Sequence, residues 1–243
     1  MRRKTAPAYL FAFIFLISAG CAGLPPIIPL DHSPTPDEQS LSHELNDLFP
    51  TDPFQFVHAI ELTMPGSHSA MLMGVVNIHP RHRAIHCVIM ALEGLVLFEA
   101  DHTRKAFTIH RAVPPFDSQA LARGLVSDIE LIFFRPRGRL DTWGKLENKD
   151  KILRFSEADG KTIDITISPD RTLWTQNVRT HSHRLKRSVK YLFSQPQTAT
   201  NNRLFIFPKS ITLTAAFPSR YTLTMTLTDA NLISDTNPCG DNK

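Results

Sequence analysis

Histidine, a common metal-binding group, is abundant at eleven in the 243-residue chain, and the densest groups are His79, His82 and His86 and His181-Ser182-His183. On a helix His82 and His86 would share a face and grip one ion. This stretch instead reads as a turn entering a strand, where four residues span roughly 13 Å, too far for a shared metal. His181 and His183 would stand about 7 Å apart on one strand face, yet they fall in a hairpin turn and the sequence names no third ligand. Solvated turn histidines, and no metal, are expected. Glu130 with Asp128, and Asp164 with Asp159, have the chemistry of acid and base pairs. Nothing places them in a pocket, so they are expected on solvated faces. The chain has no nucleotide loop, no G-x-S-x-G elbow and no H-E-x-x-H. A protein that is not an enzyme and carries no cofactor is the expectation.

Three cysteines, Cys21, Cys87 and Cys239, are too few for a disulfide scaffold and lack zinc spacing. Cys21 closes a distinctive N-terminal pattern. Arg2-Arg3-Lys4 precedes an apolar stretch over 9–17 and the small residues Ser18-Ala19-Gly20, the three regions of an export signal. The apolar run from Ala8 to Gly20 is 13 residues, shorter than the ~18–20 that a membrane-spanning helix needs. Residues 1–20 are therefore read as a removed signal peptide. Small residues ending on Cys21 resemble the lipobox of bacterial lipoproteins, although Ser18 stands where that family usually has Leu. The resemblance implies a triacylated Cys21 that anchors the mature protein to a membrane. Ala22 takes the place of the Asp that signals inner-membrane retention, which implies the periplasmic face of the outer membrane.

Export puts Cys87 and Cys239 in an oxidising compartment. A bridge between them would close a loop of about 150 residues, worth roughly 5 kcal/mol in the chain-entropy model. The alternative for Cys87, in an apolar strand, is a buried thiol. Export also recasts the charge. The formal +4 and pI near 9.1 would ordinarily raise nucleic acid or an anionic membrane as partner. Arg2, Arg3 and Lys4 leave with the signal, so 24 basic residues then face 23 acidic ones. Nucleic acid is not an expected partner, because the basic stretch Arg179 to Lys190 lacks interleaved aromatics. That stretch reads as a charged strand guarding a sheet edge or as a surface for anionic headgroups.

The elements that position these residues follow from periodicity. Residues 21–36 hold the lipidated cysteine and a proline-rich tether, expected to extend up to about 45 Å from the membrane. Thr35-Pro36-Asp37-Glu38 has the form of a capping box, and Leu41, Leu45, Leu48 and Phe49 trace one face of a helix. Strands are predicted over 54–64, 70–79, 83–90, 95–100 and 105–113, the pattern of an antiparallel meander. Asp117 is the expected N-cap of a helix over 118–134, with Leu121, Leu125, Ile129 and Phe133 at fourfold spacing. Further strands are expected over 139–147, 151–157, 161–168, 171–179, 184–193, 204–207, 210–217 and 220–228. In the last, Tyr221, Leu223, Met225 and Leu227 oppose four threonines; Ile163, Ile165 and Ile167 oppose Thr162, Asp164 and Thr166. One apolar and one wet face are expected. The reading is a single, mainly β (α+β) domain over 37–235, with a curved antiparallel sheet of about 11–12 strands and two covering helices, then a tail over 236–243.

A helix, a meander, a helix and a second set of strands behind a lipobox resemble the LolA/LolB class of lipoprotein carriers. Glu93-Gly94-Leu95-Val96-Leu97-Phe98-Glu99 and Ala112-Val113-Pro114-Pro115-Phe116 resemble stretches of uncharacterised lipoproteins near that class. The resemblance implies an incomplete barrel whose apolar concave face, lidded by helices, takes acyl chains. Candidate cavity residues are Phe56, Ile60, Met71, Met73, Leu223 and Met225, the alternative being a packed core. Leu92, in the short turn where LolB carries a protruding apolar loop, is the candidate membrane contact. The function expected is binding of a lipid or of lipidated cargo. The alternative is an assembly lipoprotein that binds other envelope proteins and no ligand.

Overall fold

The computed structural model describes residues 23–29, 45–66, 68–194, 207–216 and 220–234. They form one twelve-stranded antiparallel sheet and two helices. Helix α1 is described over its last turn, residues 45–48. It is followed by β1 (Phe54–Met64), β2 (His68–His79), β3 (Ala84–Ala91), β4 (Val96–His102) and β5 (Phe107–Ala112), then α2 (Gln119–Phe133). The second half holds β6 (Arg139–Lys145), β7 (Lys151–Ser156), β8 (Thr162–Ile167), β9 (Leu173–Arg179), β10 (Leu185–Leu192), β11 (Ser210–Ala215) and β12 (Tyr221–Leu232). The spatial order is β5-β4-β3-β2-β1-β12-β11-β10-β9-β8-β7-β6. Each half is thus a meander, and pairing of the first strand with the last joins them. The sheet does not close, so β5 and β6 are its two edges. Of the expected strand over 204–207, residues 204–206 lie outside the described set and Phe207 is not in a strand.

Register shows which face is the inside. Ile60 lies opposite Leu72 on one side and Met225 on the other, and the row continues through Ile211, Tyr191, Trp174 and Ile167. Every member of that row is buried. Directly opposed residues share a face, so this row crosses the concave side. Full burial of each such side chain contributes about 1.5–3 kcal/mol.

Helix α2 covers the concave face because its apolar residues repeat at helical spacing. Ala122, Val126, Ile129, Ile132 and Phe133 are all buried, and the Phe133 ring stacks on Phe56 at 4.9 Å. Its N-cap is Ser118 rather than the expected Asp117, and no side chain caps it. The helix stops at Phe133, and Phe134 is already extended two residues before Pro136. At the end of α1, Leu45, Leu48 and Phe49 are buried, with Phe49 edge-on to Trp174 at 5.4 Å.

Two expectations are corrected here. The described part of the tether, residues 23–29, is docked on the second half of the sheet rather than extended. Ile28 exchanges two backbone hydrogen bonds with Lys145 of β6, at 2.8 and 3.0 Å. Gly144 makes the approach feasible, since a Cβ there would stand 2.5 Å from the Ile28 carbonyl oxygen. Arg154 donates to the Pro25 carbonyl at 3.1 Å and to both oxygens of Asp164 at 2.6 and 3.0 Å. Asp164 is 1% exposed for this reason, and Thr162 is buried too, although alternation had put both on a wet face. The second correction concerns the basic stretch. Strand β10 lies between β9 and β11 and guards no edge.

Candidate functional site

The concave groove under α2 gathers four of the six candidate cavity residues. Phe56, Ile60 and Met225 are buried in it. Leu223, two residues from Met225 and opposite Leu62 and Leu213, shares the face and is half-buried. Met71 and Met73 are not part of it. Met71 pairs with Glu61 and is 51% exposed, and Met73 pairs with Ala59 and Met90 on the convex side. The register is one residue off because β2 is apolar on both faces, and Leu72, Val76 and Ile78 take the inner one. Leu92 is at the β3–β4 turn, 60% exposed, beside Leu95 at 56%. Cys87 is a buried thiol with no disulfide partner among the described residues, within 3.6 Å of the Ala100 carbonyl oxygen, and burial pushes its pKa up to about 12. Cys21 and Cys239 lie outside the described residues.

The groove is occupied by the protein's own side chains. Trp174 and Tyr191 stack at 3.7 Å and 7°, and Phe54 and Phe56 meet Phe207 edge-on at 5.0 and 5.1 Å. The space left among Leu48, Phe56, His58, Phe133, Trp174 and Leu227 is about 20 Å³. That is far below the ~300–1,000 Å³ of a ligand pocket. Two polar atoms face this apolar packing. His58 Nδ1 and Trp174 Nε1 are buried and have no hydrogen-bond partner among the described residues. Burial pushes the His58 imidazole down to about 4.

A polar latch holds α2 in place, and periodicity alone does not reveal it. Asp128 is 3% exposed. Arg187 of β10 donates through Nε to its Oδ1 at 2.9 Å, and the Tyr221 hydroxyl of β12 donates to its Oδ2. Burial raises the Asp128 pKa, with Tyr221 and Arg187 acting against it. Tyr191 donates from the same strand as Arg187 to the Ile132 carbonyl at 3.0 Å. Asp128 was placed on a solvated face because its partners are 59 and 93 residues away. The only sequence signal was a carboxylate beside the apolar stripe of a helix.

An open, curved antiparallel sheet with helices laid into its concave face is the LolA/LolB-like fold. Among solved structures the chain is similar to a LolA superfamily protein from Nitrosomonas europaea, with a TM-score of 0.54, 14% identity, and coverage of 83% of this chain and 95% of that one. A DUF1329 family protein from Desulfovibrio piger has a TM-score of 0.45 at 10% identity, covering 83% and 96%. A domain assigned to outer membrane lipoprotein sorting, from Vibrio parahaemolyticus, has a TM-score of 0.45 at 7% identity, covering 82% and 93%. No protein-family model matches the chain, and no curated protein matches it.

Proposed function

We propose that this chain is a non-catalytic lipoprotein of the cell envelope, anchored to the outer membrane through acylated Cys21, that takes an acyl chain or lipidated cargo into the groove under α2. The observation that carries the reading is a continuous apolar row across the concave face, covered by α2 together with the end of α1 rather than by a second sheet. A helix can be lifted from such a face as a unit, whereas a second sheet cannot. The latch is polar and sits on that helix. The unpartnered His58 and Trp174 nitrogens fit the same reading, since an ester or amide carbonyl at the head of an acyl chain would satisfy a buried donor there. Met64, Met71, Leu92 and Leu95 are exposed at the end of β1–β4 that holds the β1–β2 and β3–β4 turns, a surface suited to lipid.

The competing reading is an assembly lipoprotein that holds no ligand, and the small residual space in the groove favours it. The full chain carrying Cys21→Ser, purified without detergent, separates the two by native mass spectrometry. Retained lipid, or uptake of a diacylated lipopeptide, is expected. Failure of both would leave the assembly role.

A further inference from the structure

On the other flank of α2 a second space opens, a cavity of about 400 Å³ bounded by the helix, the β2–β3 turn and strands β8–β10. Its size is that of a small-molecule site, and its wall is cationic. Arg83, Arg135, Arg137, Lys161, Lys186 and Arg187 line it, against the carboxylates Asp128, Glu130 and Glu157. Asp128 is engaged by Arg187, and Glu130 is shared by Arg137 at 2.6 Å and Arg83 at 3.8 Å. Lys161 reaches Asp159 just outside the wall. Among the described residues Arg135 donates to the neutral Asn46 side chain, at 3.3 Å, and Lys186 makes no direct ion pair, its charge acting on Asp128 from a distance. Arg83 Nε is buried and has no acceptor there. Burial, and next the charge of Arg137, hold the Arg83 pKa below its ordinary value, and burial does the same at Arg135. Cations crowded into one concave wall are relieved by an anion.

Gly124 is the second, independent sign. It lies in the middle of α2 and lines the cavity, yet a Cβ there would meet nothing within 4 Å. A helix-interior glycine costs about 1 kcal/mol relative to alanine, and no packing demand offsets that cost here. A side chain longer than alanine's would project from here into the cavity. Leu131, Ile163 and Val178 add an apolar strip beside the cations.

We propose that this cavity binds a phosphate-bearing anion, either the headgroup of an anionic amphiphile with its chain on the apolar strip, or a small free phosphate. Guanidinium groups match phosphate oxygens in bidentate geometry. The site does not require α2 to leave the groove, so it stands or falls apart from the acyl-chain reading.

Calorimetric titration of the full Cys21→Ser chain with inorganic phosphate, glycerol 3-phosphate and monomeric dihexanoyl phosphatidic acid tests it. Saturable binding of at least one is expected. Tighter binding of phosphatidic acid identifies a lipid headgroup as the source, and equal binding of inorganic phosphate identifies a free anion. Lys186→Ala, and Gly124→Leu, which fills the space, should each weaken binding about tenfold with the folded state intact by thermal melt. Gly124→Ala should bind normally and melt higher. No saturable binding of any probe, or binding unchanged in both weakened variants, overturns the proposal whatever the lipid-retention result.

Discussion

His58 is a titratable side chain set in an apolar environment. It lies on the concave face between the rings of Phe56 and Phe133, 2% exposed, with Nδ1 unpartnered. Its folded pKa is lowered from 6.5 to about 4. An unfolded chain therefore takes up a proton as pH falls below 6.5 that the folded chain refuses until about pH 4. Stability from this group is fully present above pH 6.5 and is lost progressively as pH falls to about 4, by about 3 kcal/mol in all. Urea denaturation at pH 7 and pH 4.5 should show a smaller pH-dependent loss in His58→Phe than in the parent chain. Parallel losses in the two would mean that His58 is not neutral in the fold. The orphaned nitrogen could not be read from sequence, because a histidine in an alternating strand looks the same whether its inner face meets water or phenylalanine.

At the scale of elements, two devices fix what the sheet alone leaves free. One is the docked strap, whose path over β6 depends on the bare Gly144. Gly144→Val should expel residues 23–29, breaking the two Ile28 hydrogen bonds and uncovering Ile152 and the Arg154–Asp164 pair, for a loss of about 2 kcal/mol. Limited proteolysis should then cut the strap faster than in the parent. An unchanged cleavage rate would refute the docked path. The other device is the latch on α2. Asp128→Ala leaves Arg187 and Tyr221 without their acceptor, which should cost about 3 kcal/mol and speed hydrogen exchange in the α2 amides more than in β1. Uniform acceleration would mark Asp128 as general scaffolding. Strand positions were largely legible because alternation survives in single strands; 54–64 was read to the residue. Inner faces were less so. In β2 both faces are apolar, so period two gives a strand without a direction, whereas in β12 the threonines mark the outer face unambiguously. The burial of Asp164 needed a segment 129 residues from Arg154 in the chain, a contact that no local pattern carries.

For the whole molecule, the joining of two meanders by β1 and β12 puts the chain's first and last described strands side by side at the centre of the sheet and leaves β5 and β6 as edges. Sequence supplied both meanders but not the seam, since pairing across more than 150 residues has no turn to announce it. The first meander fixes the position of the exposed apolar end. Met64 and Met71 lie by the β1–β2 turn, and Leu92 and Leu95 by the β3–β4 turn, all at one end of strands β1–β4, between the seam and the β5 edge, and 45–60% exposed. If this end meets the bilayer, each leucine that leaves water contributes about 1.5 kcal/mol or more. Replacing Leu92 and Leu95 together by Glu should therefore weaken association of the unacylated Cys21→Ser chain with zwitterionic vesicles by more than about tenfold. Both side chains are exposed, so the melting temperature should barely move. Cosedimentation measures the first and calorimetry the second. Equal vesicle binding by the double variant and the parent would detach the apolar turns from the membrane. The proposed anchorage would then have to rest on Cys21 alone, two residues before the docked strap, and an acyl chain there would hold the domain close to the bilayer by that short connection rather than by its own surface.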